Sequence, residues 1–429
     1  MVRIKLPPEW GAEPVPVEAR QLGGLDYFVL WSSLGVGLLV LLAGSFLSSL
    51  SLVDVLVVSI IGSVIGSVML GLAGIMGSRY GVPTMVSLRP VLGMRGSYVP
   101  TFLNIVQLVG WTGFEIMIMA QAAGSITHWL LGDAGFPFWA AIFAVWCMFL
   151  ALGGPLAVVR KWLERYAIWL VYASTVWITY SVFTSPTVGN WMTRAPSPTI
   201  PLLLALDIVV AMPISWWPLI SDYNRFAIQP RKAFLGTVAG YTVSNTWFYV
   251  LGAALVAVLG TGDIISSIGL LFLGNAALIL ILVDETDNAF ADIYSTAVSI
   301  QNIFPKVRQW KLVAVTTAAG VALALTVPLL QYEWFLLFIG SVFVPLLGVL
   351  AAEYFTSGRK ITSVESFYRA SGVRYGNIAA WSLGIVAYIS IVQLAPSVGA
   401  SIPSFIVSLL ASTAITRLSK SLEKEMAAG

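Results

Sequence analysis

Charge is scarce in this sequence: Asp, Glu, Lys and Arg make up 10% of its 429 residues, against about 25% in soluble domains. Hydrophobic residues make up 58%. Water cannot solvate that much apolar surface, so lipid must cover it. The one cysteine, Cys147, lies in an apolar run and excludes a disulfide framework or a thiolate metal site. The one histidine, His128, cannot build a metal cluster. Together they leave no ligand set for haem, iron–sulfur or zinc catalysis. No GxxxxGK loop is present, which excludes a nucleotide-driven pump. Residues 1–23 mix charge with proline and lack the apolar core of a signal peptide. They read as a short, mobile cytoplasmic tail. No extramembrane stretch is long enough to fold alone.

What is present is a series of apolar runs, each near the ~20 residues that span a bilayer. They predict an all-α polytopic membrane protein with twelve helices, over 24–46, 53–77, 98–128, 136–158, 163–184, 201–221, 233–260, 268–302, 311–330, 333–355, 376–396 and 400–419. Every Lys and Arg except Arg194 then falls in an even-numbered connection or in one of the two tails. Positive residues stay cytoplasmic, so both termini are expected inside. The alternation would collapse if one span were missed or invented. The chain divides into the tail 1–23, five spans over 24–184, five over 201–355, two more over 376–419 and a cytoplasmic tail 420–429.

Two spans read as broken. The first contains Trp31-Ser32-Ser33-Leu34-Gly35-Val36-Gly37, the sixth Ala211-Met212-Pro213-Ile214-Ser215-Trp216-Trp217-Pro218. Pro213 and Pro218 each delete a helix donor and crowd the preceding turn. Proline kinks and tight glycine packing are the plain alternative. The positions favour more: spans one and six are equivalent members of two five-helix repeats, and interrupted helices at matching places point to a transporter binding site.

The eighth span carries Asp284, Glu285, Thr286, Asp287, Asn288, Asp292 and Ser295 with no Lys or Arg among them. At helical spacing all but Thr286 share a face. Ionised carboxylates at mid-membrane need a cation, a proton or water, and like-charge crowding raises at least one of their pKa values. Solvation of a water-filled vestibule would explain one such acid, not the stripe. In the third span Trp111 and Glu115 lie one turn apart, a stacking surface beside two acceptor oxygens, suited to a flat heterocycle with N–H donors. Asn104 and Gln107 continue that stripe. Asp222 and Arg225 close span six as an expected structural or gating ion pair, and Glu353 and Tyr354 end span ten in the same way. Asp207 reads as interfacial, and His128 receives no role.

Four segments carry a family resemblance: Leu103 to Gly113 (LNIVQLVGWTG), Met212 to Tyr223 (MPISWWPLISDY), Asp292-Ile293-Tyr294-Ser295, and Gly340 to Leu346 (GSVFVPL). The chain resembles, over nearly its whole length, the nucleobase–cation symporters of the purine, cytosine, allantoin and hydantoin permease family, and within it the hydroxymethylpyrimidine permease branch. The resemblance implies a leucine-transporter-like fold, a 5+5 inverted repeat plus two extra helices. Substrate would lie between the broken spans and spans three and eight, against Trp111, Glu115, Met212, Pro213, Ser215, Trp216, Asn288 and Asp292. Glu115 departs from relatives, which commonly carry an uncharged residue there. The helix-six aromatics stand three residues later than in other branches. The family's helix-eight hydroxyl pair falls on Thr286 and Asp287, and its substrate asparagine on Asp292. A cation set of Ser33, Gly35, Gly37, Val283, Thr286 and Asp287 follows, in which Asp287 strengthens a sodium site or converts it to proton coupling.

The reading at this stage is an importer of an aminopyrimidine such as hydroxymethylpyrimidine or cytosine, coupled to Na+ or H+. It works as a monomer in the cell membrane, with no enzymatic activity, no nucleic-acid partner and no other cofactor. A purine, uracil, hydantoin or allantoin symporter is the alternative. An amino-acid carrier of the same fold is disfavoured because an acid-rich pocket repels a carboxylate, and saturable uptake would separate any of these from a channel.

Overall fold

The computed structural model describes residues 10–155, 166, 168–193, 200–260, 263–328, 332–356 and 363–428, without the side chains of 333, 355, 356 and 420–428. Of the basic residues in the charge pattern, Arg3, Lys5, Arg160, Lys161, Arg165, Arg194, Arg359 and Lys360 lie outside this set.

The regular elements of the described residues are all helical, and one isolated backbone bridge joins Leu22 to Ala227. Helices α1 (Gly24–Ser33) and α2 (Leu38–Ser45) are two halves of one span, bent by 62°. There follow α3 (Leu52–Ala73), prolonged by Ile75–Tyr80, α4 (Tyr98–Leu131), α5 (Gly135–Gly153) and α6 (Ile168–Phe183). The sixth span is again two pieces, α7 (Leu202–Ser215) and α8 (Ile220–Asn224). Then come α9 (Pro230–Leu259), α10 (Gly274–Ile303), α11 (Gln309–Thr326), α12 (Tyr332–Ala351), α13 (Tyr375–Leu394) and α14 (Ser401–Ala428). Among the described residues, seven helical segments are long and apolar enough to cross a membrane, or eight with the bent α1–α2 pair as one span. Long apolar side chains such as Ile60, Phe149, Val315, Val386 and Leu410 are exposed, while Asp284, Glu285 and Asp287 are fully buried. That inversion suits a lipid exterior.

Two packing groups organise the helices. One holds α1–α2, α3, α7 and α9; the other holds α4, α5, α10 and α11. Helices α13 and α14 pair with each other and lie against α12. Small residues let backbones approach: side chains at Gly236 and Gly240 of α9 would run into the Gly24 and Phe28 carbonyls of α1.

The sixth span breaks later than expected. Pro213 stays inside α7 and packs against Gly66 of α3. The break comes at Trp216–Leu219, where turn-type bonds from Trp216 N–H to the Pro213 carbonyl (3.2 Å) and from Trp217 N–H to the Ile214 carbonyl (3.1 Å) replace the helical ladder. Pro218 then supplies no donor to resume it.

The expected mobile tail is ordered over its described part. Val15 N–H donates to the Gly81 carbonyl (2.9 Å), and Leu22 exchanges backbone bonds with Phe226 and Ile228 (both 3.0 Å). The Ala12 carbonyl accepts from Tyr368 Oη (2.7 Å) and the Gly11 carbonyl from Arg225 Nη1 (2.6 Å). Buried Ala12, Val15 and Leu22 anchor this strap. It crosses the face that carries Arg79, Arg89 and Arg225, here called the basic face.

Asp222 and Arg225 do not form the anticipated ion pair. Asp222 Oδ1 accepts from the Thr84 N–H (2.9 Å), while Arg225 serves the Gly11 carbonyl, the Asp222 carbonyl (3.2 Å) and Tyr294 Oη (2.7 Å). Glu353 does pair, with Arg374 at 3.4 Å, and also accepts from Asn377 (2.9 Å). At the opposite face Asp207 is more than interfacial: its two oxygens accept from Ala400 N–H (3.1 Å) and Ser401 N–H (2.9 Å), capping α14.

Candidate functional site

The middle of α10 meets the gap between α1 and α2. Unwinding there frees backbone groups that a membrane interior cannot hydrate, and α10 supplies their partners. Ser33 Oγ, at the end of α1, donates to Asp284 Oδ1 (2.6 Å) and lies 3.2 Å from Asp287 Oδ2. Leu38 N–H, at the start of α2, donates to Glu285 Oε2 (2.8 Å). An orphan N–H at the positive end of a helix is a natural carboxylate partner. Asn288 Nδ2 donates to the Val36 carbonyl in the gap (2.9 Å). Gly37 permits the approach, because a Cβ there would sit 3.0 Å from both Glu285 Oε2 and Asn288 Nδ2.

Helix α4 closes the other side. The Glu115 carboxyl lies beside that of Glu285, and Asp292 lies close by. Trp111, one turn before Glu115, meets Tyr332 (5.9 Å between ring centres) and Phe335 (5.3 Å) edge-on. From the break in the sixth span, Trp216 meets Trp31 of α1 edge-on at 6.3 Å, and Trp31 in turn lies 6.2 Å from the ring of Tyr241 of α9. Tyr332 and Tyr241 lie in the neighbourhood of the Glu115 carboxyl. The result is a buried acidic centre walled by aromatic rings. No Lys or Arg occurs within 21–78, 96–159 or 233–305, the stretches that hold most of this wall. Among the described residues, Glu115 Oε2, Glu285 Oε1, Asp284 Oδ2 and Asn288 Oδ1 have no hydrogen-bond partner.

Trp111, Glu115, Trp216, Asn288 and Asp292 thus come together, as do Ser33, Gly37 and Asp287. Other expected residues lie elsewhere. Thr286 and Val283 point off the acidic face into an apolar cavity of about 500 Å³ among α4, α5 and α10, with Ile126, Trp139 and Phe143. The Thr286 hydroxyl donates to the Val283 carbonyl (2.7 Å). Met212 and Ser215 line a second cavity of about 530 Å³ beside α12 and α13, with Tyr249, Gly340 and Tyr388. Pro213 faces α3, and Gly35 packs against Ser244 of α9. Asn104 lies below the centre, donating to Ser299 Oγ (2.9 Å) and the Pro218 carbonyl (3.3 Å) and accepting from Gln107 (2.7 Å). It ties α4 to α10 and to the second break.

Glu285, Trp31, Tyr241 and Tyr332 were missing from the expected site. Helical spacing already put Glu285 on the acidic face. The others carry a weaker signal, a polar aromatic within an otherwise apolar run.

A family model described as permease for cytosine/purines, uracil, thiamine, allantoin matches residues 14–413. The hydantoin permease of Microbacterium maritypicum is 24% identical over 396 residues, covering 84% of this chain and 78% of the relative. The cytosine permease of Escherichia coli K12 is 25% identical over 391 residues, covering 87% of each. A nucleobase–cation symport family transporter, closed with bromovinylhydantoin bound, superposes with a TM-score of 0.83 at 20% identity, covering 95% of each chain. A substrate-bound, outward-open sodium-coupled sialic acid symporter gives 0.71 at 11% identity, covering 97% of this chain and 93% of that one. The fold is the leucine-transporter-like arrangement that the resemblance implied.

Proposed function

This chain belongs to the family of permeases for cytosine and purines, uracil, thiamine and allantoin, and from that premise we propose that it imports an aminopyrimidine by alternating access, with Na+ or H+ as the coupling ion. The observation that carries the reading is the meeting of Trp111 and Glu115 on α4 with Asn288 and Asp292 on α10 at the broken first span. An indole face suits a flat ring. Carboxyl and amide oxygens without protein donors suit a ring rich in N–H groups, since a buried acceptor left unpaired costs roughly 1–3 kcal/mol. Trp216 is the second stacking candidate. Ser33 with Asp287 is the place for the coupling ion, because both sit where the unwound backbone offers carbonyls. The basic face is cytoplasmic by the distribution of Lys and Arg, and the protein works as a monomer. Relative movement of the two packing groups around the fixed centre would alternate access.

Purified protein is screened by thermal shift against cytosine, hydroxymethylpyrimidine, uracil, adenine, hydantoin and allantoin, with and without sodium. Uptake into proteoliposomes is then measured under an imposed sodium or pH gradient. Aminopyrimidines should stabilise most and enter saturably. Trp111→Ala should weaken all rings alike, and Glu115→Ala chiefly the amino-bearing ones, by about tenfold from the hydrogen-bond magnitude. Asp287→Ala should abolish the ion dependence. Stabilisation by hydantoin alone would move the substrate to another branch of the family, and linear, unsaturable flux would remove the carrier reading.

A further inference from the structure

The turn between α10 and α11, at the rim of the basic face, carries charge that the central site does not use. Lys306 and Arg308 lie in that turn and Lys311 in the first turn of α11, and all three are exposed. Helix α11 packs on α4, α5 and α10. No Asp or Glu occurs within 55–114, 134–163 or 293–332, the stretches that hold the ends of these helices on the basic face. The neighbouring chain therefore offers these cations no carboxylate. The start of α9 differs: its Arg231 and Lys232 are also exposed, but Lys232 packs on Gly24, two residues before Asp26.

The turn is held in place. Gln301 Nε2 donates to the Val307 carbonyl (2.8 Å), Asn302 Nδ2 to Thr101 Oγ1 of α4 (2.8 Å), and Arg89 Nε to Asn302 Oδ1 (2.9 Å). Exposed apolar side chains stand among the cations. Phe304 and Trp310 are both exposed, and the Lys311 ammonium lies 5.7 Å from the centre of the Trp310 ring. Phe102 of α4, also exposed, precedes by about three turns Gly113, which meets Leu323 of α11, so it lies on the side of α4 that packs on α11. Val315, one turn beyond Lys311 on the same side of α11, continues the apolar surface into the membrane. Tryptophan and basic side chains settle at the headgroup level, with apolar stems and rings toward the acyl chains.

We propose that the start of α11 is a docking surface for an anionic phospholipid of the adjoining leaflet, with the headgroup phosphate between Arg308 and Lys311, Lys306 adding charge, and an acyl chain along Phe102 and Val315. The charge selects the lipid: three cations without a neighbouring carboxylate favour a headgroup of net negative charge over a zwitterionic one. The fixed turn makes the surface a site of defined shape, and its position at the end of α10 gives lipid composition a hold on the helix that carries the acidic stripe.

Detergent-purified full-length protein is titrated with dioleoylphosphatidylglycerol or dioleoylphosphatidylcholine, and bound lipid is counted by mass spectrometry of the intact complex. The first phosphatidylglycerol should bind about tenfold tighter than phosphatidylcholine. Arg308→Gln and Lys311→Gln should each weaken phosphatidylglycerol about fivefold, the scale of one basic side chain beside an anionic membrane. Phosphatidylcholine binding should stay unchanged in both variants, which shows them folded. Trp310→Ala should weaken both lipids, and Arg231→Gln at the start of α9 should alter neither. Equal affinity for the two lipids, a preference that survives Arg308→Gln and Lys311→Gln combined, or an equal loss in Arg231→Gln would overturn the proposal. Displacement of the bound lipid by millimolar inorganic phosphate would also overturn it, since the surface would then be a plain anion site.

Discussion

Single residues decide how the two breaks are held. Arg225 is fully buried and meets the Gly11 carbonyl, the Asp222 carbonyl and Tyr294 Oη from three directions. A planar guanidinium can serve all three at once, whereas an ammonium on a flexible stem cannot. Arg225→Lys should therefore destabilise the protein by about 1–3 kcal/mol, the cost of leaving buried groups unpaired. The check is the thermal unfolding midpoint in detergent, and an unchanged midpoint would show that the strap does not depend on this contact. Gly37 works through absence. A methyl group there would lie 3.0 Å from Glu285 Oε2 and Asn288 Nδ2, tight enough to push α10 away from the first break. Overpacking of that kind costs about 1–3 kcal/mol. Gly37→Ala should lower stability and weaken ligand binding together, and a variant that kept full ligand affinity would separate the break from the binding centre.

At the scale of elements, the strap over residues 10–22 joins pieces that belong to both packing groups. It bonds to Gly81 beyond α3, to Phe226 and Ile228 beyond α8, and to Tyr368. Arg225, which holds it, also holds Tyr294 of α10. Removing residues 1–22 should loosen the basic face more than the rest of the molecule. Cys147 is the only cysteine and is buried, so an introduced thiol gives a clean readout. In a Gln301→Cys variant, maleimide labelling should be several-fold faster after the deletion, because Gly11 lies against the Gln301 side chain. Equal labelling rates would show that the strap is dispensable for closure of that face. Charge alternation in the sequence assigned the strap to a tail. Nothing in a short run of proline and charge announces that its carbonyls will be met by an arginine and a tyrosine more than two hundred positions away.

The whole molecule follows from burial of backbone in lipid. Single thiols at Gln229 and Lys306 should label from the cytoplasmic side, and thiols at Asn190 and Ser266 from outside. All four positions are exposed, so accessibility is not limiting. Labelling of both pairs from one side of the membrane would break the alternating topology. The sequence by itself determined that this chain is helical and lies in a membrane. It determined which spans are broken and the stripe on the eighth span, because hydropathy and helical period are local properties. The same period separated Thr286 from its acidic neighbours, and the structure follows the period where the family analogy would have turned Thr286 inward. Only tertiary structure decided which acids meet. Glu115 and Glu285 come from helices separated by more than a hundred residues, and their contact depends on how α4 packs on α10. Only packing, too, placed Met212, Pro213 and Ser215 away from the centre while bringing Trp31, Tyr241 and Tyr332 to it. A side chain's direction depends on where its helix stops, and α7 ends after Ser215 because turn bonds replace its ladder ahead of Pro218.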